Sequence, residues 1–349
     1  MGQSRISARH ANVDELAAEL DLNEDAYQRA LEIADLLPDQ SDWRRYIDRF
    51  LMAVGVLLIT AGITAFFAWN WADLGHFYKF ALIQGGIVVT VLLAWRLKID
   101  TLGASASLLA GAILVGVLLA VYGQVYQTGA DPYGLFLSWA LLILPWAIIG
   151  RQSGLWFLFV VLLNLAVIMY WTQVLFPPEG WWSLGQILGP LVWLWTTVTD
   201  SRLASVLFLL NGTALLAWEY FASRGIEWLQ SRWAPRLIVL IALNTVILPT
   251  VIIIFGEGLG VRLHLKVLSP ALMAIAFAAC IYYYQYRKHD LYILTCTLMG
   301  AILVIMSFTV RHILTGFFSS LILAIFLMIQ VSAAAYWLRH VSQRWESES

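Results

Sequence analysis

The polar residues best able to do chemistry stand close together in one stretch of an otherwise apolar chain. The stretch runs from residue 123 to residue 133 and supplies Gln124, Tyr126, Gln127, Asp131 and Tyr133. Its amides and phenols can hydrogen-bond a neutral polar group, and its carboxylate could act as a general acid or base. Because acid-base catalysis normally needs a positioned partner, this single carboxylate is a poor catalytic set.

Catalytic and metal-binding signatures are absent from the rest of the sequence. It contains no phosphate-binding Gly-rich loop with Lys, no His-Glu-x-x-His, no Gly-x-Ser-x-Gly and no paired Cys motif. The six histidines are scattered, and none stands at metal-ligand spacing from another. Cys280 and Cys296 lie in apolar runs, where Cys behaves as a small hydrophobe. We therefore expect no cofactor and no metal site, and we rank an enzymatic function below a non-enzymatic one.

The composition is that of a membrane protein. Hydrophobic residues make up 61% of the 349, charged residues make up 12%, and the mean hydropathy is +0.77. A water-soluble domain carries about 25% charged residues. The net charge is -1 and no basic run resembles a phosphate-binding surface, so no nucleic-acid partner is expected.

The apolar runs predict an all-α fold, a polytopic transmembrane bundle of about ten spans, since a helix needs about 20 apolar residues to cross a bilayer. Residues 180–199 are predicted to be re-entrant, interfacial or an eleventh span, because Pro190 interrupts a short apolar stretch. The spans are placed near residues 50–70, 78–96, 102–122, 133–150, 155–176, 203–221, 237–255, 268–286, 291–310 and 315–338. Residues 1–49 are then a cytosolic segment, 50–338 the membrane domain and 339–349 a cytosolic tail.

Lys and Arg set the predicted orientation, because they collect in cytoplasmic loops. If 180–199 does not cross the membrane, the loops on the same side of the membrane as the N-terminus hold most of the Lys and Arg residues. Both termini are then cytoplasmic. The outer loops then hold only Lys79, Arg202, Arg262, Lys266 and Arg311. A crossing at 180–199 would make the two sides nearly equal, so the ten-span count is preferred.

In this topology the polar stretch 123–133 faces the outside between the third and fourth spans. Polar backbone at membrane depth is tolerated only where protein or water covers it, so the stretch could line a water-accessible vestibule. The alternative is an ordinary loop in which Gly129 and Pro132 form the turn and Asp131 caps the next helix. Asn70, between Trp69 and Trp71 at the outer end of the first span, is a further candidate that could hydrogen-bond a neighbouring loop.

Polar and small residues within the spans predict helix packing. Asn and Gln inside spans commonly hydrogen-bond across helices, and the chain has Asn164, Asn211, Asn244 and Gln330 in such positions. Gly103, Ser107 and Gly111 recur every four residues and predict a flat face against which a neighbouring helix packs closely. That neighbour could belong to the same chain or to a second copy, so a homo-oligomer is possible.

The N-terminal segment carries half of the 22 acidic residues before residue 50. Apolar residues at helical spacing on both sides of Asn23 predict two short amphipathic helices within residues 12–37. They form either a small solvated cap or a docking site for a cytosolic protein partner.

The order of features resembles DUF2157, a family of bacterial predicted membrane proteins of unknown function. The features are Ala68-Trp69-Asn70-Trp71, a Gly-rich third span, Gly123-Gln124-Val125-Tyr126-Gln127, then Asp131 and Leu135-Phe136-Leu137-Ser138-Trp139. The resemblance covers roughly residues 10–150. It implies a bacterial inner membrane and brings no activity with it.

Three functions remain open at this level. The first is a transporter or channel for a neutral or lipid-like solute, since the span centres carry no charge. The second is a non-enzymatic membrane scaffold or assembly factor. The weaker third is an intramembrane enzyme on a lipid or envelope glycan, built around Asp131 with Tyr126 and Tyr133.

Overall fold

A computed structural model describes most of the chain. It covers residues 22–33, 74–97, 101–126, 131–175, 200–256, 263–312 and 319–348, with scattered positions between 13 and 58. Most of the predicted first span and all of 180–199 lie outside the described residues, as do Asn70 and Gln127.

The chain divides into two compact units, residues 1–75 and 76–349. In the first, helix α1 (Glu24–Ile33) begins where the sequence predicts the second amphipathic helix. Asn23 caps it, since its Oδ1 accepts a hydrogen bond from Ala26 N at 2.9 Å. The predicted domain boundary after Arg49 stays a prediction.

The second unit is a bundle of helices that follow the predicted spans. In the described residues nine helices are long and apolar enough to cross a membrane, which confirms the predicted fold class. They are α2 (His76–Arg96), α3 (Leu102–Tyr126), α4 (Pro132–Gly150), α5 (Ser153–Tyr170), α6 (Ser201–Ser223), α7 (Trp233–Phe255), α8 (Leu263–Tyr286), α9 (Leu291–His312) and α10 (Ser319–Glu348). A π-helical turn, Trp171–Leu175, extends α5, and a 3-10 turn, Glu227–Leu229, joins α6 to α7.

Helices α2 to α5 form a first group held by close approaches at glycine. A Cβ at Gly111 would come within 2.6 Å of Thr90 on α2 and 2.9 Å of Trp146 on α4. The predicted small-residue face of α3 therefore packs against helices of the same chain at this position. One turn further on, Trp139 of α4 lies directly over Gly116 and donates its Nε1 hydrogen to Ala112 O at 2.7 Å.

Helices α6 to α10 form a second group around α7. Val239, Leu243 and Ile247 are buried on α7 and pack in one cluster with Ile293 and Leu294 of α9. The mean hydropathy of α7, 2.8, is the highest among the nine spans of the described residues. The most apolar helix is therefore also the one with the largest buried share among these spans, 44%.

The two groups meet mainly where α5 crosses α6. There Asn164 Nδ2 donates to Asn211 Oδ1 at 3.1 Å, and Asn211 Nδ2 donates back to Asn164 Oδ1 at 2.7 Å. Each amide also donates to a carbonyl one turn earlier in its own helix, at 2.8 Å. The predicted cross-helix hydrogen bonding is confirmed for this pair, and the middle of this contact carries no unsatisfied amide.

We expect Asn164→Leu to lower the free energy of unfolding by about 1–2 kcal/mol, because Asn211 would stay buried with half of its partners lost. The double variant Asn164→Leu/Asn211→Leu should be more stable than the single one, since no unpaired amide remains. Denaturation in mild detergent measures both. Equal destabilisation by the single and double changes would mean that packing, not the amide pair, holds this contact.

The far end of α5 and the near end of α6 lie together. Trp171 Nε1 donates to Asp200 Oδ2 at 2.9 Å, and Asp200 caps α6 by accepting from Arg202 N at 2.9 Å. Helix α5 therefore finishes at the same end of the bundle at which α6 starts. We name this end after Asp200 and the opposite end after Arg232.

Candidate functional site

The described residues of the predicted polar stretch, 123–126 and 131–133, are divided between α3 and the start of α4. Helix α3 continues through Tyr126, four residues beyond the predicted end of its span, so Gln124 is an exposed helical residue. Tyr126 stacks on Phe80 with ring centroids 6.1 Å apart, and it also contacts Tyr122 at 4.8 Å. Gln124 and Tyr126 are thus on the outer surface of α3.

The second half of the stretch packs against α5. Tyr133 contacts the ring of Tyr170 edge-on at 5.1 Å. Asp131 is exposed at the N-cap position of α4, but its side chain makes no capping hydrogen bond, and Pro132 opens the helix. The capping part of the loop interpretation is therefore wrong for the side chain, because the carboxylate accepts no hydrogen bond from the first turn of α4. Tyr126 and Tyr133 have partners on different helices, so the described contacts do not assemble a site around Asp131.

A network of buried charges, which the sequence interpretation missed, ties four helices at the Arg232 end. Arg232 Nη1 lies 2.8 Å from Glu219 Oε1, and its Nη2 lies 2.9 Å from Asp290 Oδ2. The Glu219 and Asp290 side chains are only 5% and 2% exposed. Arg232 therefore bridges the two buried carboxylates.

Further partners complete this network. Tyr284 donates its hydroxyl hydrogen to Glu219 Oε1 at 3.1 Å, and Arg236 Nε lies 3.2 Å from both carboxylate oxygens of Asp290. Lys288 Nζ is 3.7 Å from Glu219 Oε2, an ion-pair distance that is too long for a hydrogen bond. Burial alone would lower the pKa of Arg232, but the carboxylates of Glu219 and Asp290 outweigh it and raise that pKa. The arrangement holds helix ends together and keeps Arg232 charged.

Two signals in the sequence could have indicated this network. Glu219 stands within the last turns of a span, and Asp290 is the acid in a loop otherwise rich in basic residues. An acid that interrupts the expected pattern of charge at a span end is a candidate for a buried ion pair.

An apolar groove of about 620 Å³ lies between α5 and α6, at the contact of the two helix groups. Its walls are Trp156, Phe159, Val160, Leu163, Leu210, Thr213, Ala214, Ala217, Trp218, Phe221, Ile226, Trp228 and Leu229. Thr213 and Ala217 are exposed and Phe221 is 48% exposed, so the groove opens sideways on the surface of the bundle. Ligand pockets have roughly 300–1,000 Å³, so this groove is large enough for an apolar chain.

Tryptophans close the groove at the Arg232 end. Trp156 of α5 stacks on Trp228 with ring centroids 6.3 Å apart, and Trp218 meets Trp228 edge-on at 6.5 Å. Trp218 Nε1 donates to Leu229 O at 3.0 Å, whereas Trp156 Nε1 is buried without a hydrogen-bond partner in the described structure. Because neighbouring atoms cover this N–H, it is not presented to an occupant of the groove.

The membrane-spanning helices, the buried network and the lateral groove describe a helical membrane protein with no catalytic constellation among the described residues. A comparison with protein families supports this class. Residues 14–156 match the family model DUF2157, described as a predicted membrane protein. The DUF2157 resemblance predicted from the sequence is therefore confirmed over these residues. No curated protein and no solved structure matches the chain.

The DUF2157 region contains α2, α3 and α4 and ends at Trp156, on one wall of the groove. Helices α6 to α10, with the charged network, lie beyond it. Both halves of the chain therefore contribute to the groove, and only one of them carries the family match.

Proposed function

We propose that this protein transports a lipid-like solute, which occupies the groove between α5 and α6. The observation that carries the proposal is the groove itself, which is apolar, open sideways and placed at the sparse contact between two helix groups. A solute dissolved in the bilayer would enter it without crossing water.

Most buried hydroxyls and amides inside the described spans are paired, with Ser269 Oγ and Gln330 Oε1 as exceptions, and this argues against a hydrophilic solute. Thr172, Ser205, Thr250 and Thr297 are buried, and each donates to a carbonyl one turn earlier in its own helix. Asn164 and Asn211 satisfy each other. Polar groups that are already paired do not mark a wet pathway, because a transported ion or sugar needs free donors and acceptors.

Filling the groove is the direct test of transport. We expect Ala214→Trp to reduce the movement of a fluorescent phospholipid analogue across reconstituted vesicles by at least about fivefold, since the indole would occupy the space of the solute. Ala278→Trp is the matched control, because Ala278 is exposed on a span outside the groove. Equal transport by the wild type and Ala214→Trp, or no transport by either, would contradict the proposal.

The topology that goes with this function has ten spans, with the N-terminus in the cytoplasm of a bacterium and the protein in its inner membrane. Support for the span count comes from the contact of Trp171 with Asp200. A segment whose two flanking residues lie at one end of the bundle crosses the membrane either not at all or an even number of times. This disfavours 180–199 as an eleventh span. Arg224, Arg232 and Arg287 at the opposite end support a cytoplasmic side there.

A scaffold role is the second candidate, and a second groove favours it. This groove, of about 590 Å³, is formed by α7, α9 and α10 and contains an exposed amide. A docking role for residues 12–37 toward a cytosolic protein stays a prediction.

A further inference from the structure

The second groove presents a polar group in the middle of a membrane-spanning helix. Its walls are apolar except for Asn244 and Cys296, and they include Leu243 and Ile247 of α7, Leu303 of α9 and Leu327 of α10. Asn244 is exposed and lies halfway along α7. Its Nδ2 donates to Leu240 O at 2.8 Å in its own helix, and this is the partner that the described structure gives it.

This leaves the carbonyl oxygen and one N–H of Asn244 facing the centre of the bilayer. Polar groups without a partner in hydrocarbon are costly, and an acyl chain has no donor or acceptor at that depth to offer. The groove occupant must therefore bring a polar group of its own to the level of Asn244. A lipid tail fails this requirement.

A second copy of this chain can supply a polar group at the level of Asn244 by symmetry. A two-fold axis along the bilayer normal places each residue of one copy at the same depth as the same residue of the other. Asn244 would then face Asn244, and an amide is complementary to itself because it has both a donor and an acceptor. The chain already contains such a pair, since Asn164 and Asn211 exchange hydrogen bonds at 3.1 and 2.7 Å.

The α10 wall of the groove is exposed. Helix α10 packs on α9, and its two residues that line the groove, Leu327 and Val331, are 40% and 50% exposed. The space between α7 and α10 is therefore bounded by apolar side chains on three helices, the setting in which transmembrane helices associate by van der Waals contact and interhelical hydrogen bonds.

We propose that the protein forms a two-fold dimer through the groove of α7, α9 and α10, with Asn244 of each copy hydrogen-bonded to Asn244 of the other. The interface is independent of the lipid-like solute of the first groove. It gives the scaffold function a specific surface.

Cysteine cross-linking in intact membranes tests the interface. On a background with Cys280 and Cys296 replaced by alanine, Asn244→Cys should form a disulfide-linked dimer on mild oxidation, since such a bond requires Cα atoms within about 7 Å. Leu216→Cys is the control, because Leu216 is 71% exposed on a span outside this groove and should stay monomeric. The proposal is overturned if Asn244→Cys gives no dimer, or if Leu216→Cys gives as much.

A second measurement separates the hydrogen bond from mere proximity. In detergent we expect Asn244→Leu to weaken the dimer about tenfold, and Asn244→Gln, which keeps the amide, to weaken it less. If Asn244→Leu dimerises as tightly as the wild type, the amide pair is not what holds the two copies. If both variants weaken the dimer equally, the pairing of amides is likewise excluded.

Discussion

Replacing Asp290 with alanine is expected to lower the free energy of unfolding by about 2–3 kcal/mol. The side chain is 2% exposed and receives hydrogen bonds from both Arg232 and Arg236. Its removal leaves Arg232, whose side chain is 27% exposed, with Glu219 as its remaining carboxylate. Both guanidinium groups lose charge-assisted hydrogen bonds to a buried carboxylate, so the effect should exceed that of an exposed ion pair.

Denaturation in mild detergent, followed by tryptophan fluorescence, measures the effect of Asp290→Ala. The matched control is Arg202→Ala at the Asp200 end. Arg202 forms an ion pair with Asp200, and the Arg202 side chain is 43% exposed. Exposed pairs contribute about 0–1 kcal/mol, so this control should unfold almost as the wild type does. If both variants lose the same stability, burial of the charges is not the cause.

The second large effect is expected at Gly116, where alanine should destabilise the protein by about 1–3 kcal/mol. A Cβ at this position would overlap the indole of Trp139 on α4. The ring would have to move, and the hydrogen bond from Trp139 Nε1 to Ala112 O, now 2.7 Å, would be strained or lost. Both effects act on the contact between α3 and α4.

Gly212→Ala provides the control for this change, because a Cβ there meets nothing within 4 Å. At that position the higher helix propensity of alanine should leave stability unchanged or raise it by up to about 1 kcal/mol. The double variant Gly116→Ala/Trp139→Phe should recover part of the loss, since the smaller ring makes room for the methyl group. A neutral effect of Gly116→Ala would show that α3 and α4 separate easily at this level.

The fold could be predicted well from the sequence because a bilayer leaves few choices to the backbone. Apolar runs of span length have to be helices, and the described helices from α2 to α10 lie over the predicted spans. The predicted helix ends were less accurate where a helix continues beyond the hydrocarbon core of the bilayer. Helix α3 runs on to Tyr126, and this extension separates Gln124 from the loop to which it was assigned.

The candidate site was harder to predict, because it depends on which helices are neighbours. The pairing of Asn164 with Asn211, and of Glu219 with Arg232, joins residues 47 and 13 positions apart, which no local pattern reveals. Asn244 and Gln330 illustrate the same limit. Asn244 bonds within its own helix, whereas Gln330 Nε2 reaches Met306 Sδ on α9 at 3.2 Å. Amide side chains within spans can therefore have different roles, and helix packing decides between them.

Native mass spectrometry of the protein extracted in mild detergent tests whether the groove of α5 and α6 holds a lipid-like molecule, as we propose. We expect one lipid per chain to be retained by the wild type and by Ala278→Trp, and to be lost from Ala214→Trp. If Ala214→Trp retains the same lipid, or if none of the three proteins retains one, the groove is not a lipid site.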